Sequence, residues 1–222
     1  MNRILAFSFV LFLVSMFRVQ AQAFEGRFVV QIMDDGSIVR MRFMVKGDKI
    51  IIEPIDAALP RPIKMLLQKG NDKMYTLTEE QGMKIALLST FKAPLSDTIK
   101  NKQYKVQETG NKKKIGIYDC RQVIVDNGDG QKLDMWVTAD MGFTLAQLFE
   151  NIGRLNAESY IDLTKHSKEE LYQKNMALEI NELKEGSSTQ ITIREIEKEK
   201  LTDELFSIQG YTVMDMNSLM GE

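Results

Sequence analysis

The stretch that decides the fold runs from Lys113 to Phe143 and reads KKIGIYDCRQVIVDNGDGQKLDMWVTADMGF. Apolar and polar residues alternate on both sides of an interruption at 126–130 that is rich in Asp, Asn and Gly. Such alternation is typical of half-buried strands, and Asn-Gly and Asp-Gly steps favour tight reversals. The stretch therefore predicts two long antiparallel strands around a turn, with a helix beginning after Phe143. The first strand is expected to contain Ile115, Ile117, Val123 and Val125.

Strand patterns also dominate the chain before this stretch. Three strands are expected within residues 24–55, three more within 63–88, and a short one over 103–108. Turn signals separate them at even spacing, which is the pattern of a meander in which each strand pairs with the next. The first half of the chain is therefore predicted to be all β.

Beyond the hairpin, the apolar period changes to that of a helix. Thr144 is a plausible N-cap for apolar residues at helical spacing, and a capping-box pattern predicts a second helix from Ser167. Residues 176–183 are interpreted as a strand rather than an extension of that helix, because they can form a hairpin with 189–196. An apolar segment at 205–213 is expected to dock on the sheet. The helical spacing joins Leu145, Leu148, Phe149 and Ile152.

The first 23 residues have the features of a secretory signal peptide. Arg3 precedes an apolar run at 4–17, and a small-x-small sequence ending at Ala23 predicts cleavage there. No later apolar run is long enough for a transmembrane helix. We therefore expect a protein exported to the periplasm or cell envelope, with residues 24–222 forming a single domain.

The charge balance argues against a nucleic-acid partner. The chain has 29 basic and 31 acidic residues, and a cleaved signal peptide removes only Arg3 and Arg18. The net charge is then negative, whereas a nucleic-acid binder needs a basic stripe. Arg40 and Arg42 share one predicted strand face. That face is either solvated or a small basic patch for peripheral contact with anionic lipid headgroups.

The motifs of common enzyme classes are absent from the sequence. There is no GxSxG, Walker or GxGxxG pattern, and His166 is the only histidine. Cys120 is the only cysteine, so it is either a buried thiol or, less in keeping with the pattern, a nucleophile paired with His166. The acidic turn is not a calcium loop, because Val137 stands where the closing Glu is required. The sequence predicts no enzyme, no metal and no cofactor.

Methionine is abundant, with 14 residues in the chain. Those in predicted strands either fill gaps in the core or form a flexible lining for a lipid, because the methionine side chain adapts its shape to its neighbours. They are Met41, Met65, Met74, Met83 and Met135.

The order of several short motifs resembles a known family. The motifs are Phe24-Glu25-Gly26, Lys-Gly-Asp-Lys at 46–49, Tyr-Thr-Leu at 75–77, Thr109-Gly110, Ile115-Gly116-x-Tyr118-x-Cys120, Trp136-Val137-Thr138 and Phe206-x-Ile208-x-Gly210-Tyr211. Together they are similar to a bacterial exported domain family of unknown function, related to the periplasmic lipoprotein carrier (LolA/LolB-like) half-barrels. The resemblance implies an α+β fold, in which a curved antiparallel sheet forms an open half-barrel with helices packed on its concave face.

In lipoprotein carriers of this kind, the gap between sheet and helices takes acyl chains. We therefore expect an envelope binding protein with an apolar cleft for a lipid or for the acyl chain of a lipidated protein. The alternative is an interaction module without a small-molecule ligand, which docks on an envelope protein by a sheet edge or by residues 206–213. The expected cleft residues are Phe28, Val30, Val39, Met41, Phe43, Met65, Leu67, Met83, Leu87, Met135, Val137, Leu148 and Phe149.

Overall fold

A computed structural model describes residues 23–55, 63–68, 73–90, 105–126, 132–148, 170–183, 189–216 and 218. In chain order, its strands are β1 (Gly26–Asp34), β2 (Ser37–Lys46), β3 (Lys49–Pro54), β4 (Lys64–Gln68), β5 (Lys73–Glu80), β6 (Met83–Thr90), β7 (Lys105–Ile115), β8 (Tyr118–Asp126), β9 (Lys132–Thr138), β10 (Met176–Glu182), β11 (Gln190–Lys198) and β12 (Thr212–Asp215). Helical residues are 145–148 (α1), Glu170–Lys174 (α2) and the 3-10 helix Asp203–Phe206. Outside the described residues lie the predicted signal peptide up to Gln22, the turn centre at 127–130, Phe149, Ile152, His166 and Ser167.

The strands form one sheet in the order β12-β6-β5-β4-β3-β2-β1-β11-β10-β9-β8-β7. Strands β1 to β6 pair antiparallel in succession, which confirms the predicted meander. Strands β7, β8 and β9 form a second antiparallel run, and β10 and β11 join the two runs through the β1–β11 pair. The last strand, β12, pairs parallel with β6 at one end of the sheet.

The predicted α+β class, with helices packed on a concave sheet face, is wrong. In the described part of the chain, the structure is nearly all β, a single open mixed sheet of twelve strands with short helical turns. Strands at 176–183 and 189–196 were predicted, and in the structure they are β10 and β11, which lie between β9 and β1 and extend the sheet. No helix in these described ranges has the length and apolar character needed to cross a membrane.

The predicted strand through Ile115 and Ile117 is also wrong. The chain reverses at Gly116, whose φ is +59°, and Ile115 pairs with Tyr118 across the turn. Positive φ is easily adopted by glycine, which permits the tight reversal. Ile117 lies at the turn with 77% of its surface exposed. The predicted short strand at 103–108 is instead the long β7, which extends to this turn.

Two apolar clusters cover opposite faces of the sheet from β2 to β5. Phe43 and Val45 face the larger cluster, the inner core, whereas Met44 between them faces the smaller outer cluster. Alternation along the strand accounts for this separation. The outer cluster joins sheet residues to Leu201 and Phe206, with Ile208 and Tyr211 packed against it. The prediction that 205–213 docks on the sheet is therefore confirmed, and Phe206, Ile208 and Tyr211 make the contact.

The predicted N-cap of α1 is confirmed. The backbone N–H of Gln147 donates to Thr144 Oγ1 at 3.3 Å, and the backbone N–H of Thr144 donates to Gln147 Oε1 at 2.9 Å. This reciprocal capping satisfies donors at the start of the helix. Leu145 and Leu148 then lie in the inner core, where Tyr172 of α2 also lies.

Candidate functional site

A row of apolar residues, interrupted by Thr76 of β5, crosses the inner face of the sheet in register. Phe43 and Ile52 near β1 are fully buried, Met65 and Leu87 are half-buried, and Met214 is 42% exposed. The inner core therefore covers the row at β1 to β3 and leaves it increasingly open toward β12. The residues paired along the row are Phe28, Phe43, Ile52, Met65, Thr76, Leu87 and Met214.

Further apolar side chains extend this open region along the strands. Val39 and Met41 lie on the same side of β2 as Phe43, and Met83 and Ile85 lie on the same side of β6 as Leu87. Val39 and Met83 are exposed, whereas Met41 and Ile85 are half-buried. We call the set the open inner face. It comprises Val39, Met41, Met65, Met83, Ile85, Leu87 and Met214.

The structure divides the predicted cleft residues into two groups. Five lie on the open inner face: Val39, Met41, Met65, Met83 and Leu87. Seven are buried in the inner core at 0–1% exposure: Phe28, Val30, Phe43, Leu67, Met135, Val137 and Leu148. Phe149 falls outside the described residues. A ligand on this side of the sheet would therefore contact the first group.

Sequence reasoning missed two members of the open inner face. Ile85 alternates with Met83 and Leu87 on β6, so its two-residue spacing could have indicated it. Met214 is placed there by the parallel pairing of β12 with β6. No local pattern indicates a pairing between segments so distant in the sequence.

The predicted basic patch on β2 has a carboxylate neighbour. Arg42 Nη1 lies 3.1 Å from Glu53 Oε2 on β3, and Lys64 of β4 also approaches Glu53, at 3.6 Å. The charge of Arg42 is thus largely balanced across the strand pair. Contact between Arg40, Arg42 and anionic lipid headgroups stays a prediction.

Cys120 lies on β8 with 3% of its surface exposed. Its Sγ is 3.7 Å from the carbonyl oxygen of Tyr118. Burial raises the pKa of the Cys120 thiol, and the positive charge of Lys113 only partly opposes this. A raised pKa favours the protonated thiol, which is the unreactive form. Within the described ranges, no three His, Cys, Asp or Glu side chains are grouped as metal ligands would be.

We expect the Cys120 thiol of the folded protein to resist alkylation by iodoacetamide at neutral pH and to react fully in denaturant. Because its pKa is raised on folding, its contribution to stability is present below the unfolded pKa, about 8.5, and is lost as the pH rises further. Mass spectrometry measures the labelling, and unfolding curves of wild type and Cys120→Ser across alkaline pH isolate the contribution of the thiol. Rapid labelling of the native protein at neutral pH would contradict this expectation.

Comparison with known proteins gives a family and two distant structural likenesses. A family model described as "Domain of unknown function (DUF4412)" matches residues 24–211. No curated protein matches the chain. The chain is similar to the structure of PNGF-II in C2 space group, at 12% identity and a TM-score of 0.44, covering 87% of this chain and 31% of that one. It is also similar to a chain of the Pseudomonas aeruginosa MucA/MucB complex, at 9% identity and a TM-score of 0.46, covering 85% of this chain and 57% of that one.

The chain spans less than two thirds of either solved chain. At these identities and TM-scores, neither likeness supports an inference about function.

Proposed function

We propose that this chain, which belongs to the DUF4412 family of domains of unknown function, is a non-catalytic binding protein of the periplasm or cell envelope. Its open inner face takes an acyl chain of a lipid or lipidated protein. The observation that carries this proposal is the apolar row whose side chains are buried at β3 and become exposed at β12. The signal-peptide features of residues 1–23 support the export part of the proposal.

The composition of the open inner face suits an acyl chain. Four of its seven residues are methionines, at positions 41, 65, 83 and 214. The unbranched and polarisable methionine side chain adapts to guests of irregular shape. Each methylene group removed from water contributes about 0.8 kcal/mol, so contact with six methylenes would supply about 5 kcal/mol before the cost of association.

We expect Met83→Asp and Leu87→Asp to weaken the binding of a fatty acid or an apolar fluorescent dye at least about tenfold, because a carboxylate beside an acyl chain loses hydration without gaining a partner. Met83 is 59% exposed, so its substitution should leave the fold intact. Fluorescence titration measures the affinity, and circular dichroism measures the folded state.

Val213→Asp is the matched control. Val213 is 47% exposed on β12, and its pairing with Ala86 places it on the opposite side of the sheet from Met214. It should therefore bind the fatty acid like wild type. If folded Met83→Asp and Leu87→Asp bind the fatty acid as tightly as Val213→Asp does, the open inner face is not the binding surface. Native mass spectrometry and organic extraction of the protein from an envelope fraction would identify a guest retained during purification.

A docking role for a sheet edge is the second candidate. Of the predicted docking segment 206–213, residues 206–211 form a poor docking surface, because Phe206, Ile208 and Tyr211 are already packed on the outer cluster. At the other end, β7 carries lysines and a register shift between Glu108 and Lys112, features that discourage pairing with another strand. The short edge strand β12 is the better surface for a partner strand, because Val213 and Met214 are exposed there.

The same variants separate the two candidates. Under the docking hypothesis, Val213→Asp loses a protein partner in a pull-down from envelope extracts while fatty-acid binding is retained. Under the acyl-chain proposal, Met83→Asp loses the fatty acid.

A further inference from the structure

A depression of about 600 Å³ lies at the β7 end of the sheet, between β7, β8, β9 and the residue that follows α2. Its lining is strongly basic, since four cations face a single carboxylate within it, that of Asp119. The lining residues are Lys112, Lys113, Lys114, Asp119, Cys120, Arg121, Val137, Thr138, Ala139 and Asn175. The cations are far in strand order from the open inner face.

The sheet register places like charges opposite each other in this depression. Lys112 of β7 pairs directly with Arg121 of β8, whereas Lys114, two residues along the same strand, pairs with Asp119. Like charges directly opposite on neighbouring strands are destabilising. In the described part of the chain, Lys112 and Lys114 make no ion pair. The positive charge is therefore not fully compensated by the protein.

Lys113 differs from its two neighbours, because its ammonium is already engaged. It forms an ion pair with Glu179 of β10 and lies 4.2 Å from the ring centroid of Trp136. Including Glu179 and the partner of Arg121, Glu108, four cations face three carboxylates around the depression. A net positive charge remains around the depression; Lys112 lies opposite the cation Arg121, whereas Lys114 lies opposite the carboxylate of Asp119.

Arg121 is held in place from the interior. One of its terminal nitrogens donates to Glu108, and the other lies 3.4 Å from Asn175 Oδ1. Asn175 is only 6% exposed; its amide donates to the carbonyl oxygen of Leu171 at 2.9 Å, and its own backbone carbonyl accepts from Leu145 at 2.8 Å. A guanidinium has five N–H donors, so this arrangement fixes its plane and leaves donors for a ligand.

We propose that this depression binds a phosphate group, seated between Lys112, Lys114 and Arg121. A phosphate is a compact anion with several acceptor oxygens, and the planar fork of arginine matches its geometry while lysines supply point charges. The bound anion would remove the repulsion between Lys112 and Arg121. The inference is independent of the acyl-chain proposal, because none of these residues belongs to the open inner face.

The first test is titration of the purified protein with inorganic phosphate and with glycerol phosphate, followed by amide chemical shifts and by thermal unfolding. We expect saturable shifts near Lys112 and Ala139 and a rise in the unfolding midpoint, because a ligand that binds only the folded state stabilises it. Lys112→Gln and Arg121→Gln should each weaken binding about tenfold, since charge-assisted hydrogen bonds are lost.

A structural role alone would not produce the same pattern. Lys112→Gln relieves the repulsion of Arg121, so without phosphate it should unfold at the same or a higher temperature than wild type while losing the rise caused by phosphate. Lys105→Gln is the matched control, because Lys105 is exposed on the same strand and seven residues away, roughly 24 Å along an extended chain. It should bind phosphate like wild type.

Vesicles distinguish a lipid headgroup from a soluble phosphate compound. Flotation with phosphatidylglycerol vesicles but not with pure phosphatidylcholine, lost in Lys112→Gln and kept in Lys105→Gln, would assign a headgroup. Saturable binding of free phosphates without flotation would assign a soluble ligand. The proposal is overturned if none of these probes binds, or if they bind folded Lys112→Gln and Arg121→Gln as tightly as Lys105→Gln.

Discussion

Replacing Gly26 with alanine is expected to lower the free energy of unfolding by more than about 3 kcal/mol, because strained backbone and an unrelieved overlap add together. Gly26 has a φ of +150°, which side-chain-bearing residues rarely adopt. A Cβ at this position would lie 2.0 Å from the carbonyl oxygen of Glu197 and 3.0 Å from Lys198 Cα. Both atoms belong to the backbone of β11, which pairs with β1 here, so they cannot move aside without breaking the pair.

Gly36→Ala provides the matched comparison. Gly36 has a φ of +84°, but no atom lies within 4 Å of the Cβ that alanine would add. Only the conformational cost applies, about 1 to 2 kcal/mol. Urea unfolding of both variants measures the difference. Equal losses would show that the overlap with Glu197 is relieved at little cost and that β11 is less rigid than its pairing indicates.

Phe28→Ala should destabilise the protein by about 3 to 5 kcal/mol, the usual range for removing a buried aromatic side chain. Phe28 is fully buried and has Phe43 stacked on it, with centroids 5.2 Å apart and planes at 6°. Phe24 and Phe143 lie against it at 5.7 and 5.4 Å. Truncation leaves a cavity bordered by three rings, which cannot all close over it. Chemical denaturation measures the loss.

This variant also separates a core role from a lining role for Phe28. If the residue lined an accessible cleft, alanine would enlarge that cleft at little cost in stability. Ile38→Ala is the control, because Ile38 is 54% exposed and should change the free energy of unfolding by less than about 0.5 kcal/mol. If Phe28→Ala lowers the free energy of unfolding as little as Ile38→Ala does, Phe28 lines an accessible cleft rather than the core.

Much of the first half of the fold is readable from the sequence. Strands β1 to β6 alternate cleanly and end at Gly-containing turns, so their existence and their pairing follow from local chemistry. The motif Phe24-Glu25-Gly26 also has a physical reading. Phe24 packs on Phe28, and Gly26 permits the close approach of β11 to β1. Sequence order alone did not indicate that the approaching strand would be β11.

The errors have equally specific causes. The turn at Gly116 was missed because Ile115 and Ile117 continue the alternation, although Gly116 was the local signal for a reversal. The α+β class was wrong because it followed from the resemblance to half-barrels with helices packed on the sheet, whereas β7 to β11 extend the sheet of this chain. Alternation correctly placed Phe43 and Met41 on one face, but it does not show where the inner core stops covering that face.

The late pairing of residues 201–215 affects how the chain folds during synthesis. A ribosome makes the N-terminal strands first, yet the β6 edge gains its neighbour β12 only when residues 212–215 emerge. The outer cluster likewise waits for Leu201 and Phe206. Until residues 201–215 have been made, a nascent chain thus presents an unpaired edge at β6 and an exposed apolar surface, and such features attract holding chaperones. The sheet and its outer cluster are therefore complete only after residues 201–215 have joined strands that were made much earlier.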